Sequence, residues 1–138
     1  MNELETSFAP EVGELQHISK AVIAHDRAAV GAGHPQPLAC LARDNGHLIG
    51  GAAGRIELDR LYVEYLWVDA AHRRKGLGQR LLAGIEGAAR GAGCNECLIE
   101  SLSPKTALMY ERAGYRGYAQ IDNYIPGLTL FVLLKPLI

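Results

Sequence analysis

The sequence predicts an α/β domain: a central mixed sheet flanked by helices. Three observations carry that prediction. Residues 61–102 read as strand, helix, strand, a crossover whose two strands run parallel with a right-handed connection. Asp44-Asn45-Gly46 joins two strand-like runs and is a strong hairpin signal. The overall order, β-α-β-β-β-α-β-α-β-β, interleaves helices with strands. The chain has 138 residues, so a single domain over 1–138 is expected, at about 100–200 residues per domain.

Each element has a local reason. Residues 2–8 are expected to form a short first strand. From residue 10 to about 32, Val12, Leu15, Ile18, Val22 and Ile23 recur at three- and four-residue spacing, which is a helical stripe. Gly31, Gly33, Pro35 and Pro37 then punctuate the chain. Residues 38–43 and 47–57 form the arms of the hairpin, the second thinned by Gly50, Gly51 and Gly54. Residues 61–68, Leu-Tyr-Val-Glu-Tyr-Leu-Trp-Val, are rich in aromatic and β-branched side chains. Apolar residues alternate onto both faces there, so this strand is expected to be covered on both sides. Leu77, Leu81, Ile85 and Ala88 place one stripe on the next helix, which Gly91 and Gly93 end. Gly84, Gly87 and Gly91 are expected to permit close packing of that helix on the sheet. Residues 97–102 form a short strand. Ser103 then suits an N-cap, Pro104 the first helical position and Gly114 the stop. Two last strands, 115–122 and 128–135, flank a turn at Pro126-Gly127.

Composition narrows the function. With 49% hydrophobic and 21% charged residues the chain is globular, not disordered. Fourteen Lys and Arg against fifteen Asp and Glu give a formal charge of -1, which favours neither nucleic acid nor a membrane surface as partner. No apolar run reaches the roughly 18–20 residues of a membrane span. The acidic start, Met1-Asn2-Glu3-Leu4-Glu5, lacks a signal-peptide pattern. Three cysteines are too few for a disulfide scaffold. A cytoplasmic protein is expected.

The informative segment is Arg73-Arg74-Lys75-Gly76-Leu77-Gly78-Gln79-Arg80. Cations crowd a helix start, where the macrodipole favours anions, and two glycines sit near the first turn. Both features fit an anion docked on the backbone N–H groups, with pyrophosphate or polyphosphate the suggested ligand. Neither the P-loop nor the dinucleotide fingerprint fits: the first needs a G-K-[ST], the second a third glycine where Leu81 stands. A solvated basic helix start is the plainer reading. The turn lies beyond a strand's carboxyl end, where open α/β sheets bind ligands.

Val68-Asp-Ala-Ala-His-Arg73-Arg-Lys-Gly76-Leu-Gly78 resembles the acetyl-CoA signature of the GNAT N-acetyltransferase superfamily, which falls here on Arg73, Gly76 and Gly78. Ser103-Pro-Lys-Thr-Ala-Leu-Met-Tyr110-Glu-Arg-Ala-Gly114-Tyr115 resembles that family's "NPxxxxxYEKxGF" segment. The tail from Tyr124 to Leu137 is similar to a "YPPGHTRYFLRKPL" ending in a bacterial subgroup. The resemblance implies the GNAT acyl-CoA N-acyltransferase fold and acetyl-CoA as cosubstrate, with no metal. It implies that the backbone of residues 74–79 holds the pyrophosphate, aided by Arg73 and Arg80. It also implies that the pantetheine arm runs along Leu66, Trp67 and Val68 like an added strand. An N–H near Trp67 or Val68 would then face the acetyl oxygen. Ser103 occupies a coenzyme-facing position where relatives often carry Asn, so an amide contact is lost there.

Tyr110 stands at the family's general-acid tyrosine and would protonate the leaving thiolate; the alternative is a core tyrosine on the face of Ala107 and Gly114. Glu64 is the one charge inside residues 61–68. Burying it alone is expensive, so it faces a wet cleft as a general base, or forms a structural ion pair, and a bulge would reverse its facing. Glu57 and Asp59 are further acids able to attract a cationic acceptor. Cys94-Asn-Glu-Cys97 lacks a second ligand pair, since the histidines at 17, 25, 34, 47 and 72 show no matching spacing, so these cysteines are expected to be structural. His72 is expected to be an exposed loop residue. The expected function is direct acetyl transfer to a primary amine by an N-acetyltransferase, with a homodimer implied by resemblance. A non-catalytic acyl-CoA-binding or regulatory module is the alternative.

Overall fold

The computed structural model describes residues 2–28 and 34–138. The chain divides into two compact units, Met1–His34 and Pro35–Ile138. In the first unit, helix α1 spans Val12–Arg27 and buries none of its side chains. Residues 2–10 form no strand, contrary to expectation. Only Leu4 and Phe8 offer large apolar side chains there, and both are fully exposed, so nothing offsets the entropy of ordering a strand. The expected stop at Gly31 and Gly33 lies outside the described residues.

The second unit holds a six-stranded sheet. In chain order the strands are β1 (Gln36–Asp44), β2 (His47–Glu57), β3 (Arg60–Val68), β4 (Glu96–Ser101), β5 (Arg116–Ile125) and β6 (Leu128–Pro136). Their spatial order is β1-β2-β3-β4-β6-β5. Only β3 and β4 pair in parallel; the other pairs are antiparallel. Helix α2 (Leu77–Gly91) makes the crossover between β3 and β4, and α3 (Pro104–Arg112) follows β4. The hairpin between β1 and β2 turns on Asn45 and Gly46, both with positive φ.

Both helices cover one face of the sheet. Leu61 and Val63 of β3 pair with Cys97 and Ile99 of β4, and all four are buried in one cluster with Leu81, Leu82 and Ile85 of α2 and Ala107 and Tyr110 of α3. The buried stripe of α2 differs from the expected one at its end. Ala89 is buried and Ala88 is not, and Glu86 joins the buried face. Residues 77, 81, 85 and 89 form one row and 82 and 86 a second beside it, a wider stripe than one row predicts. Of Gly84, Gly87 and Gly91, only Gly84 is pressed against the sheet: a Cβ there would sit 2.6 Å from Cys40 Sγ, whereas at Gly87 and Gly91 it would meet nothing.

Candidate active site

The site begins where β3 leaves β4. Their pairing ends at Val63↔Ile99, although β3 continues to Val68 and β4 to Ser101. The opposite edge of β3 stays paired with β2 as far as Gly50↔Val68. Beyond Val63, therefore, one backbone edge of β3 faces a gap. This also corrects the expectation of a strand covered on both faces: within this unit Tyr65 is 71% and Trp67 47% exposed. A bulge sits at the same place. Gly54 pairs with Val63 and Ala53 with Tyr65, so Glu64 is the extra residue.

Glu64 lies on the face opposite α2 and α3. It accepts a 2.9 Å hydrogen bond from Arg55 Nη1. The Arg55 guanidinium also lies 3.4 Å from Glu57 and 4.6 Å from the centroid of the Tyr62 ring. Burial lowers the Arg55 pKa, but its hydrogen bond to Glu64 and the charge of Glu57 outweigh that and raise it overall. A groove of about 300 Å³ opens here, lined by Arg55, Tyr62, Glu64, Tyr65, Leu98 and Glu100. Glu100 follows Ile99 as Glu64 follows Val63, so the two carboxylates stand at matching positions on the diverging strands. Unlike Glu64, Glu100 has no ion pair or hydrogen-bonding partner among the described residues.

The glycine-rich turn follows directly from the open strand end. A short 3₁₀ turn, Ala70–His72, leads into it. Arg74 has φ 63° and Gly76 φ 77°, two left-handed residues within three. Such alternation gathers successive N–H groups into an anion-binding concavity. Among the described residues, no backbone N–H of 74–79 donates to a carbonyl, and Gly76 caps α2 with no side-chain bond. Arg73 Nε donates to Val68 O at 2.9 Å, which ties the turn to the end of β3. A Cβ at Gly78 would lie 3.8 Å from Val68 Cγ2, so the first turn of α2 stands against that strand end. Leu66, Trp67, Val68 and the segment from Arg73 to Arg80 thus form one continuous surface. His72 is held between two carboxylates, 3.2 Å from Asp69 and 3.6 Å from Asp44, and is half-buried.

Tyr110 enters the core cluster from α3. It is 6% exposed, and its hydroxyl makes no hydrogen bond among the described residues. Burial, with a smaller electrostatic contribution from Cys97, pushes its phenol pKa up, so the proton stays on oxygen at neutral pH. Ser103 spends its hydroxyl on the N-cap of α3, accepting from Thr106 N at 3.3 Å. Asp59 is likewise committed to structure, accepting from Asn95 Nδ2 at 2.8 Å.

One feature of this region has no counterpart in the sequence reading. Glu86 of α2 is 4% exposed. Tyr115 Oη donates to its Oε2 at 2.6 Å, and Lys135 Nζ donates to its Oε1 at 2.8 Å. Cys97 Sγ lies 3.1 Å from the same phenol oxygen. Gly114 admits the lysine stem: a Cβ there would sit 3.2 Å from Lys135 Cε. The one signal for it was Glu86 itself, an acid one residue past Ile85 on the apolar stripe.

Burial pushes the Cys97 thiol from 9.0 up to about 12, against the hydrogen bond from Tyr115. Folding therefore holds this proton more tightly than the unfolded chain does. The associated stability is complete below pH 9.0 and declines as pH rises toward about 12. Unfolding free energy from urea titrations should fall steeply between pH 9 and 11, and less steeply in Cys97→Ala. Equal slopes would mean that folding leaves the titration of this thiol unchanged. Cys94 is buried as well, and Cys40 is partly so; all three are free thiols. Among the described residues no group of three or more His, Cys, Asp or Glu could hold a metal ion.

A sheet split beside a parallel pair, followed by an N–H-lined turn and a helix, is the architecture of acyl-CoA N-acyltransferases. Comparison with known proteins agrees. An acetyltransferase from Agrobacterium tumefaciens superposes with a TM-score of 0.88 at 27% identity, covering 99% of both chains. The blasticidin-S acetyltransferase of Streptomyces morookaense is 41% identical over 95 residues, 68% of this chain and 70% of that one. An acetyltransferase of Agrobacterium fabrum is 32% identical over 119 residues, 86% of this chain and 87% of its own. The profile of the Acetyltransferase (GNAT) family matches residues 1–115. The chain belongs to the GNAT acetyltransferase family and is an N-acetyltransferase. No helix among the described residues is long and apolar enough to cross a membrane.

Proposed function

We propose that the protein moves the acetyl group of acetyl-CoA directly to a primary amine. The observation that carries this reading is the departure of β3 from β4 after Val63, which leaves an open strand edge running into the N–H-lined turn. The residues fit the coenzyme. The N–H groups of 74–79, with Arg73, Arg74, Lys75 and Arg80 around them, suit a pyrophosphate, and the backbone of Leu66–Val68 suits the pantetheine amides. Acetyl-CoA, when bound, supplies an activated thioester. The Tyr110 hydroxyl keeps its proton for the departing thiolate. Glu64 offers a carboxylate to the amine proton from the groove. Glu100, across that groove, supplies an unpaired negative charge that favours a cationic acceptor.

The test is release of free thiol from acetyl-CoA with a panel of amines: blasticidin S, spermidine, lysine and a peptide with a free amino terminus. Amine-dependent release supports the reading. Tight acetyl-CoA binding without release for any amine would replace it with a regulatory acyl-CoA-binding module.

Two substitutions probe the parts. Gly78→Glu places bulk and a repelling charge against the N–H groups and Val68. Acetyl-CoA affinity, read by calorimetry, should weaken at least about tenfold, or 1.4 kcal/mol. Unchanged affinity would remove the turn from the coenzyme site. Glu64→Gln keeps shape and hydrogen bonding but not proton acceptance. Its kcat/KM should fall most at neutral pH and recover partly at high pH, where free amine is abundant. A wild-type profile at every pH would exclude Glu64 as the base.

A further inference from the structure

The Glu86–Tyr115–Lys135 group is a costly arrangement. A carboxylate taken out of water loses several kcal/mol of hydration, and well-packed apolar residues of similar volume serve stability as well or better. What such a group does supply is geometry, because charge-assisted hydrogen bonds are short and directional. Its three members come from three elements: Glu86 from α2, Tyr115 from the junction of α3 and β5, and Lys135 from β6. The Tyr115 ring is therefore held at its far end by Glu86 (2.6 Å) and covered by the Lys135 ammonium, 5.6 Å from its centroid. That ring also packs against Tyr110, with centroids 5.8 Å apart and planes inclined at 56°. Among the described residues Tyr110 has no hydrogen bond of its own to fix its ring. The ring it packs against is pinned.

We propose that Glu86 and Tyr115 are positioning residues: they fix the Tyr110 hydroxyl relative to α2, whose amino end carries the N–H-lined turn. This rests on the reading of Tyr110 as the general acid. The phenol of Tyr115 donates its hydrogen bond to the carboxylate of Glu86. Cys97 Sγ is the second partner of that hydroxyl, 3.1 Å away. The shorter bond to Glu86 favours one setting of the ring. Tyr115→Phe removes that anchor and the contact with Cys97, while Glu86 retains Lys135.

Two measurements test this, one without any ligand. In protein labelled with 3-fluorotyrosine, the ¹⁹F line lost in Tyr110→Phe belongs to Tyr110. In Tyr115→Phe without ligand that line should broaden or double, while the thermal midpoint moves little. An unchanged line would overturn the proposal. The second is a double-mutant cycle with acetyl-CoA and the amine of the panel above that turns over fastest. Tyr115→Phe should lower kcat about tenfold, with acetyl-CoA affinity unchanged, because small misplacements of a reacting group are costly. In a Tyr110→Phe background the same change should do nothing. Equal losses in both backgrounds would overturn the positioning role while leaving Tyr110 as the acid. Full activity of Tyr110→Phe would instead overturn the acid and this proposal with it. Glu86→Gln provides a second entry to the cycle if Tyr115→Phe folds poorly, and it should show the same non-additivity.

Discussion

Tyr110→Phe is expected to lower kcat about 100-fold or more while leaving KM for acetyl-CoA nearly unchanged. The ring stays in the cluster with Ala107, Leu82 and Tyr115, so packing and the turn at residues 73–80 are preserved. Only the proton donor goes. The thiolate must then leave unprotonated or take its proton from water. Steady-state rates of thiol release, with thermal melts as a folding control, check this. Wild-type turnover would assign Tyr110 to the core alone.

Gly54→Ala is expected to be the most damaging small substitution in the sheet. A Cβ at this position would lie 1.9 Å from Tyr62 O and 3.0 Å from Val63 Cα, both backbone atoms of the neighbouring strand. No rotamer relieves that overlap, so β2 and β3 must separate at the bulge. A loss of about 4 kcal/mol or more is expected, in the range that marks a named backbone conflict and not ordinary surface change. Gly87→Ala is the control. A Cβ there meets nothing, and the residue lies in an exposed helical position, so the change should stabilise by up to about 1 kcal/mol. Denaturant unfolding of both variants checks the pair. Similar values would mean that the bulge yields easily.

Most of the second unit was legible because its signals are local. Asn45-Gly46 names its own turn, and Ser103-Pro104 names the start of α3, with Ser103 capping as expected. The strand–helix–strand crossover follows from hydrophobic period alone, and β3 and β4 do pair in parallel. The left-handed turn before α2 was legible because the cations and glycines of residues 73–80 defy helix preferences. Long-range features were not. The strand expected at residues 2–8 had no partner that its sequence could name. The facing of Glu64 depends on a bulge set by Gly54 on another strand. Glu86, Tyr115 and Lys135 are separated by dozens of residues, and only the fold reveals that one carboxylate holds the other two. Nothing in the sequence of β4 marks Glu100; its place at the groove depends on where β3 turns away.

The gap between β3 and β4 has a kinetic meaning. The N–H-lined turn and Tyr110 lie toward the helix-bearing face, whereas Glu64, Glu100 and the groove lie on the other. On the proposed reading, donor and acceptor enter through separate doors and meet only in the slot. Neither has to leave before the other arrives, so no acetylated enzyme is needed to carry the group between them. Such a layout gives a sequential mechanism with a ternary complex, and initial-rate lines that intersect instead of running parallel.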